Sequence, residues 1–233
     1  AAPQVATHNF RFSEDYDLYP SGAKTKYKNN VMAIKLLKQI ELEKRTATPE
    51  EQIILARYVG WGGLANAFSS TASGWENEYQ ELKSLLTDVE YKAAMNSTIT
   101  AYYTEPDLIR HIYRALERFG FEGGPDRKIL DPGMGTGNFY SVLPEQFQGS
   151  KLFGVELDSI TGRIAKQLYP DADISIMGYE ATKFEDNSFD VILGNIPFNS
   201  VKIYDRRYND LNPYIHDYFF IKSLDLAKPG GII

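Results

Sequence analysis

Apolar residues in the first part of the chain recur at helical spacing. Val31, Ile34 and Leu37 lie three residues apart within residues 30–44, which predicts a helix there, whereas residues 1–28 have no clear period and are expected to form an extended lead-in. A capping-box sequence and later apolar spacing predict further helices over residues 48–59 and 76–95. The sequence therefore predicts a helical N-terminal region, residues 1–97.

From residue 98 the pattern changes to short apolar runs that alternate with helical segments. A helix is expected over residues 105–119, with Thr104 as its N-cap. Strands are then predicted at residues 128–130, 151–155, 174–177, 189–193 and from 231, and helices at residues 139–143, 159–168 and 214–227. This alternation predicts an α/β core over residues 98–233, with a parallel sheet and helices on both faces. In such sheets ligands bind at the carboxyl ends of the strands.

A glycine-rich sequence follows the first predicted strand: Asp-Pro-Gly-Met-Gly-Thr-Gly-Asn-Phe, residues 131–139. Gly133, Gly135 and Gly137 allow the main chain to turn tightly and to approach a ligand, and the next helix directs its N-terminal amides to the same space. The spacing differs from that of the dinucleotide motif, and the Gly-Lys-Ser/Thr of a P-loop is missing from this segment. A phosphate-cradling loop is therefore not the favoured interpretation.

Two carboxylates accompany this loop. Asp131 precedes the glycines, and Glu156 ends the second predicted strand, nineteen residues after Gly137. A carboxylate in the position of Glu156 can accept hydrogen bonds from ribose hydroxyls, and the carboxylate of Asp131 suits an ammonium group. A ligand that carries both a ribose and an amino acid points to S-adenosyl-L-methionine. The alternative is that Glu156 is a solvated charge at a strand end.

Four motifs in this order resemble class I S-adenosylmethionine-dependent DNA adenine-N6 methyltransferases of the gamma group. They are Ala-Tyr-Tyr-Thr (101–104), the glycine loop, Val-Glu-Leu-Asp (155–158) and Gly-Asn-Ile-Pro-Phe (194–198). The longer run through Ile-His-Asp-Tyr-Phe-Phe to Lys-Pro-Gly-Gly-Ile-Ile resembles the methyltransferase-like domain of large phage and conjugative-element proteins that also carry a helicase. The resemblance covers about residues 98–233. It implies a Rossmann-like, doubly wound methyltransferase sheet, truncated here at strand five and preceded by the helical region.

The resemblance also implies roles for the matching residues. It puts Tyr103 and Thr104 near the methionine end of the cofactor and Glu156 at its ribose. The residues implied along its amino-acid part are those of the loop: Asp131, Gly133, Gly135 and Gly137. The family often has an Asp after strand three that meets the adenine; here Tyr179 stands in that place, and Glu180 is the expected substitute.

The Asn-Ile-Pro-Phe sequence is the candidate catalytic motif. The amino group of adenine is a poor nucleophile, and two acceptors aimed at its hydrogens favour a more tetrahedral nitrogen as it attacks a sulfonium methyl. The side-chain oxygen of Asn195 and the main-chain oxygen of Ile196 can serve as acceptors, Pro197 restrains Ile196, and Phe198 can stack on the extruded base. The commoner motif has Pro at position 196, but the acceptor belongs to the main chain. The alternative is a plain strand-end turn.

Composition narrows the remaining possibilities. At 43% apolar and 24% charged residues, the chain resembles an ordinary soluble globular protein. It has no Cys, which excludes disulfides and thiolate zinc sites, and its three His residues show no ligand spacing, so no metal is expected. Neither a membrane segment nor a signal peptide is predicted, and a cytoplasmic location is expected. The net charge of −6 argues weakly against a generic nucleic-acid surface.

These features together predict a DNA methyltransferase domain that transfers a methyl group to adenine N6, with DNA as partner and a helicase domain in a longer chain. Arg206 and Arg207, just beyond the motif, are candidate phosphate contacts, with a solvated loop as the alternative. Two other functions stay open: methylation of RNA or of a protein glutamine, and a non-catalytic cofactor- or nucleic-acid-binding module. The sequence is expected to be a piece of a longer protein, with the DNA-gripping parts elsewhere.

Overall fold

The computed structural model describes residues 8–19, 21–99 and 104–233. These residues form two units. The first contains the described residues up to 99 together with Asp158–Pro170, and the second contains Thr104–Leu157 and Asp171–Ile233. The domain division after residue 97 stays a prediction.

Helices and strands follow each other largely as the sequence predicts. The α-helices of the described residues are α1 (Ala23–Leu42), α2 (Pro49–Ala56), α3 (Glu76–Leu85), α4 (Asp88–Asn96), α5 (Pro106–Arg118), α6 (Asn138–Ser141), α7 (Ser159–Leu168) and α8 (Ile215–Leu226). The strands are β1 (Lys128–Asp131), β2 (Lys151–Glu156), β3 (Asp173–Ile176), β4 (Phe189–Ile192) and β5 (Ala227–Ile232). No helix in the described residues is long and apolar enough to cross a membrane.

The first unit is helical and centres on aromatic residues. Trp61 is buried and makes edge contacts with Tyr27, Tyr58 and Phe68. Tyr27 also explains why α1 begins earlier than predicted, so that an extended lead-in reaching residue 28 is wrong. Its buried ring lies one helical turn before Val31, and its hydroxyl donates to the main-chain oxygen of Glu78 at 3.0 Å, which fixes the first turns of the helix.

The second unit contains a five-stranded sheet in which every pair of neighbours is parallel. The strand order is β3-β2-β1-β4-β5. The order reverses between β1 and β4, and crevices for ligands form at such a reversal, beyond the carboxyl ends of the strands. Side chains of α8 pack on the sheet in a buried cluster that contains Leu130, Val155, Phe189, Ile192, Tyr179, Tyr218, Phe219 and Leu226. The predicted Rossmann-like doubly wound fold is confirmed.

Three local predictions for the α/β core need correction. Thr104 is not the N-cap of α5: Pro106 begins the helix and holds Glu105 extended, so Glu105 occupies the cap position without a side-chain capping bond. The helix after the glycine loop, α6, is a single turn. Strand β5 begins at Ala227, earlier than expected, because the chain passes directly from α8 into pairing with Phe189.

Candidate active site

The glycine loop is fixed between the carboxyl ends of β1 and β2. The amide of Gly133 donates to Asp131 Oδ1 at 3.1 Å, and the amide of Gly135 donates to Glu156 Oε2 at 2.9 Å. The main chain of Met134 adds a bond from its amide to the oxygen of Val155 at 3.0 Å. Gly135 has a φ of 57°, a left-handed conformation that favours glycine. The loop and both predicted carboxylates therefore form one connected structure.

Asp131 is buried, with 1% of its surface exposed. Burial raises the pKa of its carboxyl to about 8; the Gly133 amide opposes this rise, and the negative charge of Glu156 adds to it. No Lys or Arg in the described part of the chain is among the groups that influence this carboxyl. A buried carboxylate in this position fits a ligand that brings its own cation, as the ammonium group of an amino acid does.

The Gly-Asn-Ile-Pro-Phe segment lies directly against this loop. The amide of Leu193 donates to the oxygen of Leu130 at 2.9 Å, which aligns the ends of β4 and β1. A Cβ atom on Gly133 would lie 3.8 Å from the main-chain oxygen of Asn195 and 3.9 Å from Cδ of Pro197. The two motifs, more than fifty residues apart in sequence, are therefore in van der Waals range of each other.

Gly194 has a structural reason that sequence reasoning missed. A Cβ atom at this position would collide with the carboxylate of Asp131. The glycine before Asn195 thus leaves room for the buried acid of the neighbouring strand. Only the pairing of β1 with β4 reveals this contact, since nothing in the local sequence links the two residues.

Asn195, Ile196 and Phe198 differ in their surroundings. Asn195 is exposed, whereas the side chain of Ile196 packs against the buried cluster on the sheet. This packing anchors the Ile196 side chain to the sheet. Phe198 exposes 70% of its surface. The segment is therefore anchored to the sheet through Ile196, while the ring of Phe198 remains largely exposed to solvent.

A stack of three rings continues from Phe198. His216 stacks on Phe198 with ring centroids 5.6 Å apart and planes inclined by 23°. Tyr214 stacks on His216 at 6.0 Å and 14°. We name Phe198, His216 and Tyr214 the aromatic stack. Sequence spacing shows only that the three His residues do not follow a metal-ligand pattern, and it carries no sign of this contact.

The other predicted cofactor residues are placed as follows. Tyr103 lies outside the described residues. The main-chain oxygen of Thr104 accepts a bond from Asn138 Nδ2 at 3.2 Å, which ties the upstream segment to the end of the glycine loop. Glu180 is exposed and its carboxylate folds back over Gly178, while Tyr179 is buried and shares a hydrogen bond with Ser223 at 3.1 Å. Tyr179 is thus a core residue, and the role of Glu180 stays a prediction.

Metal-ligating side chains do not converge in the described residues. No group of three or more His, Asp or Glu residues there could hold an ion. The carboxylates, amides and aromatic ring of the site can bind and orient a ligand.

Residues 130–207 match the family model described as "Methyltransferase domain". Among curated proteins, the chain is 28% identical over 211 residues to Defense against restriction protein B of Escherichia phage P1, covering 88% of this chain and 8% of that protein. It is 32% identical over 78 residues to Modification methylase CviBIII of Paramecium bursaria Chlorella virus NC1A, covering 34% of this chain and 21% of that protein. The chain therefore spans a minor part of both relatives.

Solved structures resemble the chain remotely. A proposed class I S-adenosylmethionine-dependent methyltransferase from Listeria monocytogenes shares 16% identity over 90% of this chain and 72% of its own, with a TM-score of 0.47. The matched segment 130–207 contains the glycine loop, Glu156 and the Asn-Ile-Pro-Phe motif. The family match and the observed sheet together support a methyltransferase that uses S-adenosyl-L-methionine as its cofactor.

Proposed function

We propose that this chain is a methyltransferase domain that transfers a methyl group from S-adenosyl-L-methionine to the N6 atom of adenine in DNA. The observation that carries the proposal is the juxtaposition of two motifs. The glycine loop with its buried Asp131 lies within about one atomic contact of the Asn195–Pro197 segment, at the adjoining ends of β1 and β4. A cofactor bound at the glycine loop and a base bound at the Asn195–Pro197 segment would meet at this edge of the sheet.

The cofactor half of the site would be held by the chain's own carboxylates and amides. Asp131 would accept hydrogen bonds from the ammonium group, and Glu156 would accept hydrogen bonds from ribose hydroxyls. The bound cofactor supplies an electrophilic methyl group on a sulfonium centre. The ammonium would restore the ionised form of Asp131, because an adjacent positive charge lowers a carboxyl pKa.

The base half would orient the amine. The side-chain oxygen of Asn195 and the main-chain oxygen of Ile196 would each accept one hydrogen of the adenine amino group. Phe198 would stack on the base, an interaction worth about 1–3 kcal/mol. A strong general base is not required, since the amine becomes acidic once it is alkylated. Rate enhancement would come from positioning and from electrostatic stabilisation.

The similarity to a viral modification methylase supports DNA as the substrate. The similarity to a phage protein named for defense against restriction agrees with a role on DNA, and its much greater length agrees with this chain being one part of a larger protein. A helicase in the same full-length chain and a cytoplasmic location belong to this proposal as well.

The experiment is transfer of a labelled methyl group to duplex DNA, to RNA of the same sequence and to a mixture of proteins. We expect label in DNA alone, and its loss by at least about 100-fold in Asn195→Ala with cofactor affinity retained. Label in RNA or protein instead would replace the substrate, and cofactor binding without transfer to any substrate would favour a non-catalytic module. Asn96→Ala, an exposed change in the first unit, is the matched control.

A further inference from the structure

The segment between Phe198 and His216, two residues of the aromatic stack, forms a closed loop. Lys202 and Tyr214 pair as an antiparallel bridge, and the amide of Ile215 donates to the oxygen of Val201 at 2.9 Å. We name residues 202–214 the closing loop. Tyr214 at its base belongs to the aromatic stack, so the loop begins and ends next to Phe198.

The interior of the closing loop is anchored to α8. The hydroxyl of Tyr218 donates to Asp205 Oδ2 at 2.6 Å, and Lys222 Nζ lies 3.8 Å from the same oxygen. The hydroxyl of the buried Tyr208 donates to Asp225 at 2.8 Å. These contacts restrain the loop, and such restraint lowers the entropy lost on binding a ligand.

The two arginines of the closing loop differ in whether they pair with acidic residues. Arg207 makes a two-pronged pair with Asp186, at 2.7 and 2.9 Å, and a further contact with Asp225 at 2.8 Å. Arg206 is exposed, and no acidic group of the described residues pairs with it. Tyr204, two residues earlier, exposes 80% of its surface. Tyr204 and Arg206 are thus exposed side chains of a loop that Asp205 and the buried Tyr208 anchor to α8.

We propose that the closing loop is a DNA contact beside the extruded base, in which Arg206 binds a backbone phosphate and Tyr204 stacks on a flanking nucleotide. This inference rests on the proposed function. An unpaired guanidinium and an open aromatic face are the groups that bind phosphates and bases. The closing loop carries three basic residues, Lys202, Arg206 and Arg207, and two acidic ones, Asp205 and Asp210, which leaves one surplus positive charge. Because Arg207 is paired with Asp186 and Asp225, the positive charge offered to a phosphate is mainly that of Arg206, on a chain whose net charge is −6.

The test measures affinity for a fluorescent DNA duplex by anisotropy, with salt varied from about 50 to about 200 mM. Arg206→Gln should weaken binding about tenfold and lower the salt-dependence slope by about one, as expected for one lost phosphate contact. Arg206→Lys should retain the slope. Tyr204→Ala should weaken binding about fivefold and Tyr204→Phe should not, because stacking requires the ring and not the hydroxyl.

Arg118→Gln is the matched control, since it removes the same charge from an exposed position at the end of α5. Cofactor binding by calorimetry should be equal in all these variants. Wild-type affinity and slope in Arg206→Gln, equal losses in Arg118→Gln, absence of DNA binding by the wild type, or tighter binding of RNA would each overturn the proposal. In the first two cases, methyl transfer to DNA by the same preparations would leave the proposed function standing.

Discussion

The two halves of the candidate site, at the ends of β1 and β4, differ in how their groups are partnered. On the β1 side, the carboxylates already accept hydrogen bonds from the glycine loop, and Asp131 is buried. On the β4 side, Asn195 and Phe198 are exposed, and the ring of Phe198 stacks on that of His216. A small charged cofactor suits the first environment and a large planar base suits the second.

This difference predicts which property of the protein each ligand affects. Burying a carboxylate without a cation destabilises its ionised form, so a cationic ligand at Asp131 should stabilise the fold. In the described residues, the β4 side of the site has no buried carboxylate of this kind, since Asn195 and Phe198 are exposed there. Substitutions on the two sides should therefore separate effects on stability and cofactor affinity from effects on the substrate.

Gly194→Ala should have the largest effect. The added methyl group would collide with the carboxylate of Asp131, so we expect destabilisation by about 1–3 kcal/mol and loss of most cofactor binding. Urea unfolding and calorimetry measure the two quantities. Gly133→Ala is the comparison, because its methyl group would meet only ordinary contacts at 3.8 Å or more. It should leave stability nearly unchanged while reducing cofactor affinity; equal destabilisation by both changes would contradict this account.

Asp131→Asn should raise the stability of the protein at alkaline pH while weakening its binding of the cofactor. The pKa of Asp131 is about 8 in the folded chain, against 3.8 for an ordinary Asp, so the folded state binds more protons than the unfolded state between these values. Wild-type stability should therefore fall as pH rises from about 4 to about 8, by at most about 1.4 kcal/mol per pH unit from this group.

The asparagine variant should lack that part of the slope and be the more stable protein near pH 8, yet bind the cofactor about tenfold more weakly, because it offers no charge to the ammonium. Thermal unfolding across this pH range and calorimetry provide the measurements. Asp126→Asn, at an exposed turn, should change neither. An unchanged pH slope in Asp131→Asn would show that the carboxyl is ionised in the folded protein.

His216→Ala should have a smaller effect, confined to the base side. Without the stacked imidazole, the ring of Phe198 would be free to rotate, and we expect methyl transfer to fall about threefold to tenfold with cofactor affinity intact. Fluorescence of 2-aminopurine at the target position should rise, because the extruded base stacks less well. His216→Phe should restore both values, whereas His111→Ala on α5 should alter neither. Failure of His216→Phe to rescue would remove stacking as the explanation.

Local patterns predicted most of the helices and strands after residue 104. Helix α7 spans Ser159–Leu168 as its apolar spacing indicates, and its N-cap Asp158 accepts from the amide of Thr161. The strand ends that carry Asp131, Glu156 and Asn195 could be located because buried runs stop at polar residues.

Contacts between distant segments could not be read in this way. The need for glycine at position 194 comes from Asp131 on another strand. Within the described residues, Arg207 is paired and Arg206 is not, because Asp186, about twenty residues earlier, lies next to Arg207. The stacking of His216 on Phe198 likewise requires the closing loop to return the chain to its starting point. Sequence spacing carries no signal for such pairs.

The central claim is that a cofactor at the β1 end and an adenine at the β4 end meet at one edge of the sheet. The most direct measurement is identification of the methylated atom, by digesting DNA treated with the chain and labelled S-adenosyl-L-methionine and separating the nucleosides by mass spectrometry. The account predicts label as N6-methyladenine and as no other modified nucleoside. Label on cytosine, or unmodified DNA from a preparation that binds the cofactor, would contradict it.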